Sequence, residues 1–235
     1  MSIIEKQGNL FTSKCEVFVN TVNCVGIMGA GIALEFKLRY PVMYEKYKKL
    51  CDAGKLRPGN LWLYKTPTRS ILNFPTKDHW RDPSRVEYLE MGLDKLAKTY
   101  SEKGVKSIAL PLLGADKGGL EPSVSKRIIY QYLDKISDLE VELYNYDPTA
   151  KDEIIDRLSL ILLSNDIDVI SKSSEINSRT LELIDTHVQS NAVNTVGRLL
   201  TIPGVGEATV AKLFNLLDTI PSDVTILAGQ QGSLL

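Results

Sequence analysis

Val17-Phe18-Val19-Asn20, then Gly26-Ile27-Met28-Gly29-Ala30-Gly31, then Ile32-Ala33-Leu34-Glu35-Phe36-Lys37 is the stretch on which the fold turns. A short apolar run bounded by turn residues reads as a buried strand. The glycines read as a tight turn, and the spacing of Ile32 and Phe36 as the opening of a helix. The same order recurs downstream. Ser107-Ile108-Ala109-Leu110-Pro111 is a strand, Gly114-Ala115-Asp116-Lys117-Gly118-Gly119 a second glycine-rich turn, and residues 124–133 a helix. Pro41 interrupts the first helix, and residues 42–50 resume its spacing. Residues 61–64 and 70–74 form a strand pair around Pro67-Thr68-Arg69. Residues 85–101 carry Val86, Leu89, Leu93, Leu96 and Ala97 on one helical face, and residues 141–146 alternate as a last strand. Strands alternating with helices predict an α/β sheet covered on both faces.

Asp147-Pro148-Thr149 breaks this pattern and sets the boundary between a first domain, residues 1–148, and a second, residues 152–235. The second reads as mainly α-helical, with helices over 154–163, 178–192 and 196–217. The charges divide at the same place: 22 basic against 18 acidic residues up to Ala150, and 6 against 11 after it, or +4 and −5. Such a shift marks two units with different surfaces.

The 235 residues are 43% hydrophobic and 24% charged, with a net charge of −1, the composition of an ordinary globular protein. No apolar run approaches the roughly 18 residues of a membrane span. The N-terminus lacks the basic head and apolar core of a secretory signal. Cys15, Cys24 and Cys51 are odd in number and lack metal-ligand spacing, with only His79 and His187 to join them. The expectation is a reduced, cytoplasmic protein without a disulfide framework or metal site, its cysteines small buried residues.

Both glycine turns follow a strand and precede a helix. That placement suits phosphate, because glycines let the backbone approach an anion that helix N-terminal N–H groups attract. Neither turn is GxGxxG and no GxxxxGK[ST] is present, which argues against ordinary nicotinamide oxidoreductases and P-loop ATPases. Two such turns on one sheet suit a diphosphate. As residues alone, they also read as simple connectors.

Gly8-Asn9-Leu10, Val19-Asn20-Thr21-Val22-Asn23-Cys24-Val25-Gly26 with Met28-Gly29-Ala30-Gly31-Ile32-Ala33, and Leu110-Pro111-Leu112-Leu113-Gly114 leading into Gly118-Gly119-Leu120 resemble the ADP-ribose-binding signature of the macrodomain family. Asn73-Phe74-Pro75-Thr76-Lys77-Asp78-His79-Trp80-Arg81 narrows the resemblance to the DarG antitoxin branch, related to the terminal ADP-ribose glycohydrolases. It covers about residues 1–147. It implies a three-layer α/β fold, a mixed central sheet flanked by helices. The implied activity is hydrolytic removal of ADP-ribose from DNA bases modified by a DarT toxin, with no cofactor.

The resemblance also implies roles. Asn9 and Leu10 hold the adenine end, where Tyr146 packs on the ring or, in the alternative, into the core. Asn20, Met28, Gly29, Ala30, Gly31 and Ile32 line the first turn. Gly114, Ala115, Asp116, Lys117, Gly118, Gly119 and Leu120 form the second, and the two cradle the diphosphate. Asn23 contacts the distal ribose. Lys77 attacks or stabilises its anomeric carbon through an opened-sugar, Schiff-base-like adduct, for which a lysine needs a lowered pKa. Asp116 stands where related enzymes carry glycine, and Gly118 where some carry an acid. Asp116 or Glu121 is therefore the candidate acid/base. His79, Trp80 and Arg81 suit nucleic acid, by stacking and phosphate pairing; the alternative is a loop anchored by Trp80 in the core.

In the second domain, residues 199–213, Leu-Leu-Thr-Ile-Pro-Gly-Val-Gly-Glu-Ala-Thr-Val-Ala-Lys-Leu, resemble a helix-hairpin-helix near 197–217. That motif grips a DNA phosphate through hairpin N–H groups, here at Gly204 and Gly206, with Lys212 and Thr209 as further donors. Ala208 and Ala211 are expected to allow close helix packing, with Leu200, Val210 and Leu213 in the core. The acidic charge opposes DNA affinity, and such hairpins also pack against protein. The alternatives to a DNA glycohydrolase are a non-hydrolytic reader of ADP-ribose or ADP-ribosylated DNA, and an ADP-ribose 1″-phosphate phosphatase.

Overall fold

The computed structural model describes residues 3–150 and 152–220; residues 221–235 of the expected second domain lie outside the described residues. The chain forms two compact units that meet in sequence at Pro148 and Thr149.

The first unit holds β1 (Ile3–Gly8), β2 (Val17–Val22), α1 (Gly31–Arg39), α2 (Pro41–Asp52), β3 (Trp62–Lys65), β4 (Ser70–Pro75), α3 (Val86–Thr99), β5 (Ser107–Pro111), α4 (Pro122–Leu133) and β6 (Glu140–Tyr146). The strands make one sheet in the order β1-β6-β5-β2-β4-β3. Every neighbouring pair is parallel except β3 against β4, the hairpin closed by the Pro67 turn. The sheet is therefore mixed.

Side-chain alternation along the strands builds the two faces. Val17, Val19, Leu72 and Phe74 point into a core with Leu89, Leu93 and Leu96 of α3 and Ile128, Ile129 and Leu133 of α4. Phe18, Ile71 and Ala109 point the other way, into a core with Phe36 of α1 and Met43, Tyr47 and Cys51 of α2. These are the three layers. α3 seats closely on the sheet through Gly92, where a Cβ would lie 2.2 Å from the Phe74 ring.

The connections place the site. From β2 the chain passes through α1 and α2 to β3 and β4 on one side; from β5 it passes through α4 to β6 on the other. The direction of winding thus reverses between the adjacent strands β2 and β5, and a crevice opens there at their carboxyl ends.

The second unit holds α5 (Glu153–Ser164), α6 (Ile167–Ser174), α7 (Ser178–Gln189), a 3-10 turn (Gly197–Thr201) and α8 (Glu207–Thr219). Its regular elements are all helical within the described residues. Two elements escape the sequence reading. β1 has only Ile3 buried at its start and owes its place to pairing with β6. α6 is eight residues long, announced only by Asp166, whose side chain caps it at Asp168 N. The expected helix over 196–217 is split, because Pro203 and Gly204, at φ +83°, turn the chain between the 3-10 turn and α8.

Candidate active site in the crevice between two glycine loops

The first loop, residues 23–30, leaves β2 and enters α1. Asn23 organises it. Its Oδ1 accepts from Val25 N (3.0 Å) and Ile27 N (3.3 Å), and its Nδ2 donates to Ile27 O at 2.6 Å. The buried Tyr47 hydroxyl donates to Asn23 O (2.8 Å) and lies 3.1 Å from Oδ1. Gly26 (φ +81°) and Gly31 (φ +55°) supply left-handed turns that side chains resist. Ala30 caps α1 without a side-chain bond, so no side chain competes for the first N–H groups of that helix.

The second loop leaves β5 through Leu112 and Leu113 and makes a 3-10 turn over Asp116–Gly118. Leu120 N bonds Gly114 O at 3.0 Å, closing the loop on itself. Ser84, which no sequence signal singled out, shapes it from beneath. Its N–H donates to Gly118 O at 2.8 Å. A Cβ on Gly118 would lie 2.5 Å from Ser84 Oγ, and one on Gly114 2.8 Å from Ser84 Cβ. An acid has no room at position 118.

The loops meet. A Cβ on Gly31 would lie 3.3 Å from Lys117 Cγ and 3.6 Å from an Asp116 carboxylate oxygen. Lys77, just past β4, bridges them: its Nζ donates to Lys117 O at 2.7 Å. Its own segment is stitched to the first loop by Cys24 N to Asp78 O (2.8 Å), Cys24 Sγ to Lys77 O (3.4 Å) and Thr76 N to Val22 O (3.0 Å). Burial penalises the ammonium and holds the Lys77 pKa below the ordinary lysine value, while Asp82 pulls the other way. Burial pushes the Cys24 thiol up to about 12, with Asp78 adding to the shift. Cys24 is thus an inert thiol beside the lysine, and all three cysteines are free and buried.

The structure sorts the other expected site residues. Asn9 is buried, and its Oδ1 accepts from Phe11 N at 3.0 Å, capping the turn after β1. Leu10 and Met28 are core residues, and Ile32 packs beside them. Asn20 is fully buried; its Nδ2 donates to Asn73 Oδ1 at 3.0 Å and approaches Met28 Sδ at 3.8 Å. Of these, Asn20 reaches the first loop through Met28, while Asn9 holds the turn that follows β1. Tyr146 is 62% exposed at the end of β6, paired in register with Gly8, so the core alternative does not hold for it. Asp116 is solvent-facing at φ +30°, its carboxylate 3.9 Å from Lys117 Nζ. Glu121 is exposed at the start of α4. Gly29, Ala30 and Gly119 are exposed on the loop crests, with Val25 and Ile27, which the sequence reading did not single out.

Trp80 is 45% exposed, which removes the alternative of a core anchor. Its ring stacks on His79 at 5.8 Å, and the Arg81 guanidinium lies 4.8 Å from its centre. Three residues from Lys77, this forms an aromatic and cationic ledge. Among the described residues, no group of three or more His, Cys, Asp or Glu is arranged to hold a metal.

In the second unit, Gly204 and Gly206 are exposed with open space around them, and Gly206 is the N-cap of α8. Lys212 is not free for phosphate: its Nζ donates to Glu175 O at 2.7 Å, with the Glu175 carboxylate 3.7 Å away. Ala208 and Ala211 face solvent, because the buried stripe of α8 is Val210, Leu213, Leu216 and Leu217. Leu199, rather than Leu200, is the buried residue of the preceding turn.

A six-stranded mixed sheet of this order, flanked by helices and carrying two glycine loops at a winding reversal, is the macrodomain architecture. The Macro domain family model matches residues 19–129, and the chain belongs to the macrodomain family. Within it, the similarity runs to DarG. The macrodomain of Thermus aquaticus DarG is 44% identical, with a TM-score of 0.58 over 61% of this chain and 97% of that one. A DNA ADP-ribosyl glycohydrolase from Thermus aquaticus is 45% identical over 142 residues, 59% of this chain and 39% of that protein. A Thermosipho africanus fusion of a DNA ADP-ribosyl transferase with a DNA ADP-ribosyl glycohydrolase is 32% identical over 163 residues, 61% of this chain and 41% of that protein. The chain thus spans about two fifths of the length of these curated relatives.

Proposed function

We propose that this protein is an ADP-ribosyl glycohydrolase that removes ADP-ribose from modified DNA bases, acting in the cytoplasm as a DarG-like antitoxin against a DarT-like toxin. The observation that carries the reading is Lys77, held over the meeting point of the two glycine loops with its pKa lowered by burial. The loops receive the diphosphate through backbone N–H groups, and the exposed Tyr146 gives the adenine end a face to stack on. Asn23 acts by positioning, since its oxygen and one amide hydrogen are spent on the loop. The neutral Lys77 amine attacks or stabilises the anomeric carbon as the bond to the base breaks. The departing base takes the proton that the amine loses on bonding to the carbon, and water then adds to that carbon, releasing ADP-ribose and returning a proton to the amine. Asp116, at the rim, is the acid/base better placed than Glu121. The His79–Trp80–Arg81 ledge takes the base or its flanking phosphate.

The glycohydrolase names of the relatives support the activity, and the transferase fusion supports a toxin partner. The second unit contributes DNA contact through the open Gly204–Gly206 hairpin, in the manner of a helix-hairpin-helix. Its tether to the first unit raises the effective concentration of DNA at the crevice.

The test is incubation with oligonucleotides bearing ADP-ribose on thymine or on guanine. Release of free ADP-ribose and unmodified DNA is the expected result. Tight binding with both substrates intact would replace the hydrolase by a reader.

A further inference from the structure

A second basic and aromatic feature lies outside the crevice. α2, the loop after it and β3 enclose a groove of about 390 Å³ lined by Lys46, Lys49, Leu50, Ala53, Lys55 and Trp62. Residues 46–57 carry five cations, Lys46, Lys48, Lys49, Lys55 and Arg57, against one carboxylate, Asp52. Among the described residues, none of the three lining lysines has a carboxylate partner. Lys46 sits 5.3 Å from the centre of the Tyr64 ring, which is itself 5.7 Å from Trp62. Lysines of this kind lay aliphatic stems along an apolar floor and keep their charges in water.

The position is as telling as the chemistry. β3 runs antiparallel to β4 and pairs Trp62 with Asn73, so Trp62 lies at the end of the sheet where β4 runs out to Lys77. α2 also backs the first glycine loop, with Lys48 Cγ 3.3 Å from where a Gly26 Cβ would lie. The groove and the crevice therefore share one helix and one edge of the sheet.

We propose that the groove of Lys46, Lys49, Lys55 and Trp62 is a second nucleic-acid contact, which holds a single-stranded DNA segment flanking the modified nucleotide. An aromatic wall inside a rim of unpaired lysines fits a phosphodiester chain with unstacked bases, and it carries no fixed donor set that would read sequence. A duplex offers no free base face to the indole. The proposal rests on the DNA-substrate reading above, and the experiment separates the two.

The test uses the full chain and an unmodified, fluorescently labelled oligodeoxythymidylate, with binding followed across a salt series. Combined Lys46→Gln, Lys49→Gln and Lys55→Gln substitution is expected to weaken binding at least ten-fold and to flatten the log–log salt slope by roughly 2, three phosphate contacts at about 0.7 each. Trp62→Ala is expected to weaken it about ten-fold, and Trp62→Phe to retain most of it. Release of ADP-ribose from an ADP-ribosylated mononucleoside stays unchanged in the lysine variant. Wild-type affinity and salt slope in that variant would overturn the proposal. So would intact DNA binding with lost binding of poly-glutamate, which would assign the groove to an acidic protein. If the wild type releases no ADP-ribose from any substrate, yet the variants lose DNA, the hydrolase reading fails and the groove stands.

Discussion

The loop after β2 keeps its shape through side-chain hydrogen bonds centred on Asn23, whereas the loop after β5 keeps its shape by leaving no space for side chains. In the first, Asn23 serves Val25, Ile27 and Tyr47 together. In the second, Gly114 and Gly118 lie against Ser84 at distances that a Cβ could not share. Both present backbone toward one crevice. The lesson is that a glycine loop can be fixed by adding polar contacts or by removing bulk, and that the two kinds of loop break under different substitutions.

Gly118→Ala strikes the second loop through a single side chain. The added methyl sits 2.5 Å from Ser84 Oγ, so the loop must shift, at a cost of about 1–3 kcal/mol by analogy with overpacked cores. The expected result is a ten-fold or greater loss of ADP-ribose affinity by calorimetry. Adding Ser84→Ala sharpens the point: it removes the nearest clashing atom and should recover part of the affinity of Gly118→Ala. It should recover none for Gly114→Ala, whose methyl meets Ser84 Cβ at 2.8 Å and Leu120 Cδ1 at 2.9 Å. Equal rescue of both would break the steric account.

Asn23→Ala tests the first loop. It leaves Val25 N, Ile27 N and Ile27 O without their side-chain partner, for about 1–2 kcal/mol. A lower melting temperature and weaker ADP-ribose binding should appear together. Loss of binding with unchanged stability would instead make Asn23 a direct ligand contact.

The smallest effect is in pH. Burial depresses the Lys77 pKa below its ordinary 10.5. The unfolded chain then holds this proton more tightly than the folded one, so its contribution to stability rises with pH between the lowered value and 10.5. The neutral amine grows over the same rise, and turnover should climb with pH to a plateau reached below 10.5. A profile still rising through the free-lysine range would show that Lys77 is not shielded.

Much of this was legible in the sequence. β2, β4 and β5 announce themselves as short apolar runs bounded by turn residues, because both of their faces are buried, and β6 by its alternating sequence. Both glycine loops stand out as glycine clusters at strand ends. β1 was not legible: Ile4 is exposed and only backbone pairing with β6 fixes the strand. Ser84 was invisible for a related reason, since its role arises from contact with glycines about 30 residues away. Lys212 read as a phosphate donor because sequence shows a cation but not Glu175, 37 residues earlier, that claims it. Asn23 was singled out for the distal ribose, and its bonds within the loop were not foreseen. Periodicity reveals what a residue faces, and long-range pairing decides whom it meets.

The most direct test of the central claim is single-turnover release of ADP-ribose from an ADP-ribosylated oligonucleotide by wild type and Lys77→Ala. The account predicts a loss of about 100-fold or more in the variant, with ADP-ribose affinity kept within a few-fold. Full turnover by Lys77→Ala would contradict it.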